Sequence, residues 1–279
     1  ASDVYKRQGI KFGIWIEPEM VNPQSELYQK HPDWIITQPK RTPILGRHQE
    51  ILDLTRPEVQ AFEWQVIDKT LRPNPDISYV KWDCNRYITQ PGSGYLQPAE
   101  QSHLWIDYNW ALYRLMERFS KEFPNVMAML CAGGSGRVDY GALPYFHSFW
   151  PSDNTDPLGR IKIQWGFSHF FPASTISAHV TRMGKRHLKL AIDVALSGAF
   201  GIDLALDKAT AEERVQIADA VKLYKASIRP LVMQGELYRL VSPYEHPMAS
   251  LSYVSTDKND AVVYLYQIQD GSVPQVILG

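Results

Sequence analysis

From residue 10 to about residue 235, short apolar runs rich in β-branched and aromatic residues alternate with longer amphipathic segments. The runs are "IKFGIWI", "ILDL", "ISYVKW", "VMAML", "FHSFW", "PASTISAHV" and "GIDLAL", each short enough for a buried strand. Between several of them lie helix candidates: "PEVQAFEWQVIDKTLR", "SHLWIDYNWALYRLMERFSKEF", "LGRIKIQWGFSHF", "HLKLAIDVALSGAF" and "TAEERVQIADAVKLYKASI". In the first, Val59, Phe62, Val66 and Ile67 recur at helical spacing, and Pro57 suits a first turn.

Strand and helix in alternation argue for a parallel α/β architecture. Polar residues cluster just after the strands: Glu17 and Glu19, Asp83 and Asn85, the "CAGGSGR" turn, Asp153 and Asp156, and His179. A doubly wound sheet gathers such residues at one crevice, whereas a (β/α)8 TIM barrel spreads them round the C-terminal face of its strands, so the distribution favours the barrel. Six or seven of the eight barrel strands are visible, and the rest are expected before residue 9. From about Leu237 the texture changes to short strands without helices, "LYRLVS", "MASLSYVS" and "DAVVYLYQI", as at the start of a small antiparallel β domain. The expected organisation is a non-native leader over 1–8, where "ASDVYKRQ" lacks both methionine and periodicity, an incomplete barrel over 9–235, and a truncated β domain over 236–279.

Composition narrows this only a little. The chain has 279 residues, 44% hydrophobic and 21% charged, with a formal net charge of -1, so charge points to neither a nucleic-acid nor a membrane partner. No apolar run approaches the roughly 18 residues of a membrane span. Eight Trp, 15 Tyr and 10 Phe suit stacking on sugar rings and a large core equally. Cys84 and Cys131 form no CxxC pair, and the eight histidines show no HxxxH or HxH spacing, so neither a disulfide framework nor a metal site is expected.

The candidate chemistry centres on "YVKWDCNR", residues 79–86. If this is a strand running out, Lys81, Asp83 and Asn85 point the same way. Asp83 either caps the next turn or stands as an anion whose pKa Lys81 depresses, which suits a nucleophile. In "WPSDNTDPLGR", residues 150–160, Asp156 before Pro157 fits a helix cap. Asp153 follows Trp150, where an aromatic neighbour and a second carboxylate would raise its pKa. One carboxyl pushed down and one pushed up form the pair that glycosidic cleavage needs. "CAGGSGR", residues 131–137, lacks the Gly-Lys-Ser/Thr ending of a phosphate loop, and Arg137 stands where a nucleophile elbow needs its last glycine. "WIEPEM" puts Trp15, Glu17 and Glu19 on one face, with Trp15 either stacking on a sugar or filling the core.

With these residues assembled, the chain resembles the α-galactosidases of glycoside hydrolase family 36. The matching signatures are "GIKFGIWIEPEMV", "HPDW", "LDLTRPEV", "YVKWDCNR", "CAGGSGR", "WPSDNTD" and "SAHV", in family order from residue 9 onward. The resemblance implies a catalytic (β/α)8 barrel followed by a small C-terminal β-sandwich. It implies that Asp83 is the nucleophile and Asp153 the general acid/base of a retaining mechanism, with carboxyl groups about 5 to 5.5 Å apart. Trp15, Arg47, Lys81, Asn85, Cys131, Gly133 and Trp150 match positions of the galactose pocket.

The implied substrates are α-galactoside oligosaccharides such as raffinose or melibiose. No cofactor or metal is implied; a homo-oligomer is, a tetramer in complete relatives, as is a cytoplasmic location. Two departures stand out. The family's paired aspartates on the first barrel strand fall upstream of this chain, and Ala132 and Ser135 depart from the commoner "CSGGGGR". Within enzymes, an α-galactosyl transferase of the raffinose-synthase kind and an α-N-acetylgalactosaminidase are the rivals. Outside enzymes, a carbohydrate-binding barrel is the alternative, against which the presence of both Asp83 and Asp153 argues.

Overall fold

The computed structural model describes residues 9–269. Two compact units divide the chain, Ala1–His147 and Ser148–Gly279. The expected leader, residues 1–8, and the end of the expected β domain, residues 270–279, lie outside the described residues.

In the first unit the strands are β1 (Phe12–Ile16), β2 (Met20–Val21), β3 (Glu50–Ile51), β4 (Ile77–Trp82) and β5 (Met127–Leu130). β1 runs parallel to β4 and β4 parallel to β5, with Trp15 opposite Lys81 and Lys81 opposite Met129. The connections between these parallel strands contain the helices Pro57–Leu71 and Leu104–Glu122, as parallel pairing requires. Pro57 occupies the first turn of its helix, whose buried face is Val59, Glu63, Trp64, Ile67 and Leu71. Phe62 and Val66 sit at the margins of that face, so the stripe is rotated from the one the apolar spacing suggests. The longer helix buries Leu104, Tyr108, Ala111, Leu112, Leu115, Met116 and Phe119 at regular helical intervals.

The "ILDL" run departs from expectation. β3 pairs antiparallel with β2, so this stretch is a side ribbon and not a member of the parallel sheet. Leu52, Asp53 and Leu54 are buried all the same, and loop carbonyls satisfy the backbone: Leu52 N donates to Glu19 O at 2.9 Å and Asp53 N to Trp34 O at 2.7 Å. A four-residue apolar run reports burial, not the direction of pairing.

The second unit contains β6 (Ser148–Phe149), β7 (Ser177–Val180), β8 (Ala199–Ile202), β9 (Glu236–Val241), β10 (Met248–Val254) and β11 (Ala261–Gln267), with helices Pro157–Phe167, Leu188–Ala195 and Ala211–Leu223. The last helix continues through a wider turn, Tyr224–Ile228, into Arg229–Gln234. β7 and β8 are parallel. The helix begun at "HLKLAIDVALSGAF" stops at Ala195, earlier than its periodicity suggests, and Ala199 and Phe200 belong to β8. Gly198 lies in the turn that follows, where no side chain fits: a Cβ there would lie 2.8 Å from Ile176 O and 2.9 Å from Ala178 Cβ.

β9, β10 and β11 form an antiparallel sheet with β10 central. Three of its tyrosines bury their rings and donate hydroxyl protons to the last carbonyls of helix Leu188–Ala195 and the turn beyond it. Tyr253 reaches Ser197 O at 2.8 Å, Tyr264 Leu196 O at 2.9 Å and Tyr266 Asp193 O at 3.2 Å. Those carbonyls have no intrahelical partner, so the apolar faces are buried without stranding them.

Candidate active site

The C-terminal ends of β1, β4 and β5 lie side by side, since Asp83 N donates to Ile16 O at 2.9 Å and Cys84 N to Cys131 O at 3.1 Å. This brings Trp15, Lys81, Asp83 and Cys131 together. Asp83 is only 3% exposed. Its Oδ2 accepts a 2.9 Å hydrogen bond from Trp15 Nε1 and lies 4.0 Å from Lys81 Nζ, while Oδ1 accepts from Cys84 N at 2.9 Å. Burial pushes the Asp83 carboxyl up, but hydrogen bonds from Trp15, Asn85 and Cys131, together with the charge of Lys81, hold it below the usual carboxylate value. The expected depression is present with a different leading cause: the indole contributes most and Lys81 least. Asp83 caps no helix; the next helical turn begins at Pro98.

Asn85 is held from three directions. Its backbone and side-chain nitrogens both donate to Glu17 Oε1, at 3.1 and 2.5 Å, and its Oδ1 accepts from Arg47 Nη1 at 2.9 Å. Glu17 Oε2 accepts from Gln49 Nε2 at 2.8 Å. Arg47 and His48 both have positive φ, 54° and 60°, so the turn that delivers Arg47 is strained. Cys131 is buried and its thiol is pushed up to about 12 by that burial. Gly133 and Gly134 adopt φ of 59° and 98°, and a Cβ at Gly133 would meet nothing within 4 Å, so this backbone faces open space. Both cysteines are free thiols.

Glu19 breaks the expected grouping with Trp15 and Glu17. β1 ends at Ile16 and Pro18 enters a turn, so strand alternation stops before it reaches Glu19. Glu19 is fully buried and takes up Trp82, Tyr108 and Arg137 instead.

In the second unit Trp150 Nε1 donates to Asp153 Oδ1 at 2.9 Å. The guanidinium of Arg160 lies 4.5 Å over the Trp150 ring and donates to Ser152 O, Asn154 O and Ser177 O, at 3.0, 3.0 and 3.1 Å. Arg160 therefore grips the loop on both sides of Asp153. Burial pushes its pKa down to about 10, and Asp153 opposes that. His179 meets Trp150 edge-on at 4.7 Å. Asp156 stands at the start of helix Pro157–Phe167 but its side chain does not cap it; it pairs with Arg186 at 3.3 Å. Asp83 and Asp153 belong to separate units.

Arg160 is a site-supporting residue that the sequence reasoning passed over. Its signal was available: it falls on the buried stripe Pro157, Arg160, Ile161, Gln164 and Trp165, where an arginine needs several acceptors. Among the described residues, no group of three or more His, Cys, Asp or Glu is gathered as a metal site, and no helix is long and apolar enough to cross a membrane.

Parallel strands with a buried, hydrogen-bonded carboxylate at their C-terminal ends define an α/β chain of the kind that carries its chemistry on strand-end loops. Residues 1–235 match the Melibiase family, and the chain belongs to that family. It is similar to the α-galactosidase AgaA of Geobacillus stearothermophilus, 41% identical over 93% of this chain and 36% of that protein, and to α-galactosidase 1 of Pediococcus pentosaceus, 37% identical over 96% of this chain and 37% of that one. A crystal structure of the Geobacillus enzyme, described as a GH36 α-galactosidase, superposes with a TM-score of 0.92 at 40% identity, over 98% of this chain and 39% of its own. A variant of that enzyme in complex with raffinose gives a TM-score of 0.93 at 39% identity, over 98% of this chain and 39% of its own. The chain thus spans little more than a third of the length of these relatives.

Proposed function

We propose that this chain carries the nucleophile and acid/base of a retaining α-galactosidase acting on raffinose- or melibiose-type oligosaccharides. The observation that carries the proposal is the state of Asp83: a buried carboxylate at the end of a parallel strand, held ionised by Trp15, Asn85, Cys131 and Lys81. In this reading Asp83 attacks the anomeric carbon and forms a β-galactosyl ester, while Asp153 protonates the departing oxygen. Asp153 then takes a proton from water, which opens the ester with net retention. Lys81, Asn85 and Arg47 hold sugar hydroxyls, Trp15 and Trp150 offer aromatic faces, and the Cys131–Gly133 turn lets the ring approach the backbone.

The strand-end geometry, together with the family, supports an incomplete (β/α)8 barrel over 9–235 followed by the beginning of a C-terminal β domain over 236–279. Two free, buried cysteines suit a reducing compartment and so a cytoplasmic location. A homo-oligomer, as in complete relatives, rests on the resemblance.

Asp83→Asn in the full-length gene product tests the proposal. Hydrolysis of raffinose and of an aryl α-galactoside should all but vanish while galactose binding, read by calorimetry, survives within a few-fold. Full hydrolysis in the variant contradicts the assignment, and equal loss of binding and fold makes Asp83 a structural residue.

A further inference from the structure

Successive side chains of β4 point to opposite faces, so Trp82 leads away from the cluster around Lys81 and Asp83. Trp82 is fully buried and its Nε1 donates to Glu19 Oε1 at 3.1 Å. The other oxygen of Glu19 accepts from Tyr108 OH at 2.6 Å and from Arg137 Nη1. Tyr108 comes from helix Leu104–Glu122, and its ring lies 5.6 Å from the Arg137 guanidinium. One buried carboxylate therefore ties together the segment after β1, the end of β4, a covering helix and the last residue of the glycine-rich turn.

That turn needs an anchor. Residues 131–137 include Gly133 and Gly134 at positive φ and Gly136, so its backbone has little intrinsic stiffness. At its start, Cys131 N donates to Trp82 O at 2.8 Å and Cys131 O accepts from Cys84 N at 3.1 Å, beside Asp83; at its end, Arg137 is held by Glu19. Glu63 lies on the same side, fully buried, with neither carboxyl oxygen hydrogen-bonded. Burial and the neighbouring Glu19 push its carboxyl well up, which favours its neutral form and leaves Glu19 to pair with Arg137.

We propose that Glu19 is a positioning residue for the sugar pocket: through Arg137 it fixes the 131–137 turn, and thereby sets Cys131 against Asp83. The inference rests on the reading of Asp83 as nucleophile. Asp83 is faced by Trp15 from β1, Lys81 from β4, Asn85 from the following loop and Cys131 from the turn, so loss of the Cys131 contact removes one of several groups that hold it ionised.

Glu19→Gln in the full-length protein keeps the size of the side chain and removes its charge. Amide hydrogen exchange should quicken over 131–137 by tenfold or more relative to the rest of the chain. The kcat/KM for an aryl α-galactoside should fall up to about a hundredfold, with its acidic limb moved to higher pH. Glu63→Gln, which replaces a protonated acid by an amide, should change neither exchange in the turn nor kcat/KM. Tyr108→Phe removes one donor to Glu19 and should quicken exchange in the same turn to a smaller degree, which keeps the test open if Glu19→Gln does not fold. Unchanged exchange over 131–137 in whichever of Glu19→Gln and Tyr108→Phe folds, or a uniform rise across the chain, overturns the inference whatever the activity. An inactive wild-type protein contradicts the proposed function instead.

Discussion

The indole Nε1 of Trp15 and Oδ2 of Asp83 are joined by a 2.9 Å hydrogen bond between residues 68 apart in sequence. The pairing of β1 with β4 sets Trp15 opposite Lys81, and the indole reaches past the lysine to the carboxylate. Half of the Trp15 side chain is still exposed, which leaves an aromatic face open beside an ionised acid. One residue thus combines an exposed aromatic face with a hydrogen bond to the group proposed as nucleophile.

Trp15→Phe keeps much of the ring and removes the donor. Trp15 is the largest of the groups that depress the Asp83 pKa, so the carboxyl should rise toward its ordinary value. Asp83 must be ionised to act, and the acidic limb of kcat/KM should therefore move to higher pH. A pH profile with a displaced acidic limb is the expected result; an unmoved limb with only a raised KM would leave Trp15 a stacking surface alone.

Arg160→Lys should separate positioning from charge around Asp153. A lysine keeps the positive charge but lacks the planar fork that spans Ser152 O, Asn154 O and Ser177 O. Leaving buried carbonyls unpaired costs on the order of 1–3 kcal/mol. Thermal unfolding should register that loss and, with Asp153 as the proposed acid, kcat should fall most for substrates with poor leaving groups, which need protonation on departure. Equal losses for activated and unactivated substrates would argue that the loop's position does not control acid catalysis.

Glu63→Gln should be more stabilising the higher the pH. The folded carboxyl of Glu63 is raised by burial first and by Glu19 second. Its stability contribution is whole below the ordinary value of 4.5 and is lost as pH rises through the folded value. An amide has no proton to lose, so the gap between variant and wild type, measured as urea midpoints from pH 4 to 8, should widen with pH. A constant gap would mean that Glu63 is ionised with a partner.

Gly201→Ala should disturb the Trp150 wall more than it disturbs folding. An added Cβ would lie 2.4 Å from His179 Cδ2 and 2.5 Å from Nε2, so the ring that meets Trp150 edge-on must shift to admit it. The expected readout is a changed tryptophan fluorescence and a raised KM with a shift in melting temperature of only a few degrees. A large loss of stability without either change would make the glycine a packing requirement of β8 alone.

Lys81 and Asp83 were legible as neighbours because strand alternation is a local rule and the strand ends at Trp82, just before the aspartate. The parallel order of strands and helices was legible for the same reason, since apolar periodicity is written along the chain. What escaped was whatever depends on partners far along it. Cys84 N and Lys81 come from the motif itself, but the indole donor to Asp83 comes from β1, and nothing in "YVKWDCNR" names it. Glu19 was misplaced because its alternation from Trp15 runs through Pro18, where the strand has already ended. Arg160 was passed over because its three acceptors are backbone carbonyls, which no motif displays. "ILDL" carried the signal of burial but not of antiparallel pairing, and Gly198 lies against Ile176 and Ala178, neighbours that only the fold brings to it.

In the proposed mechanism Asp83 becomes covalently bonded to galactose during turnover. A fluorinated α-galactoside with slow turnover, applied to the full-length gene product and followed by intact mass and peptide mapping, reads this directly. A single galactosyl adduct is expected on the peptide containing Asp83, absent from Asp83→Asn. An adduct on another carboxylate, or none on an enzyme that still hydrolyses the parent substrate, would contradict it.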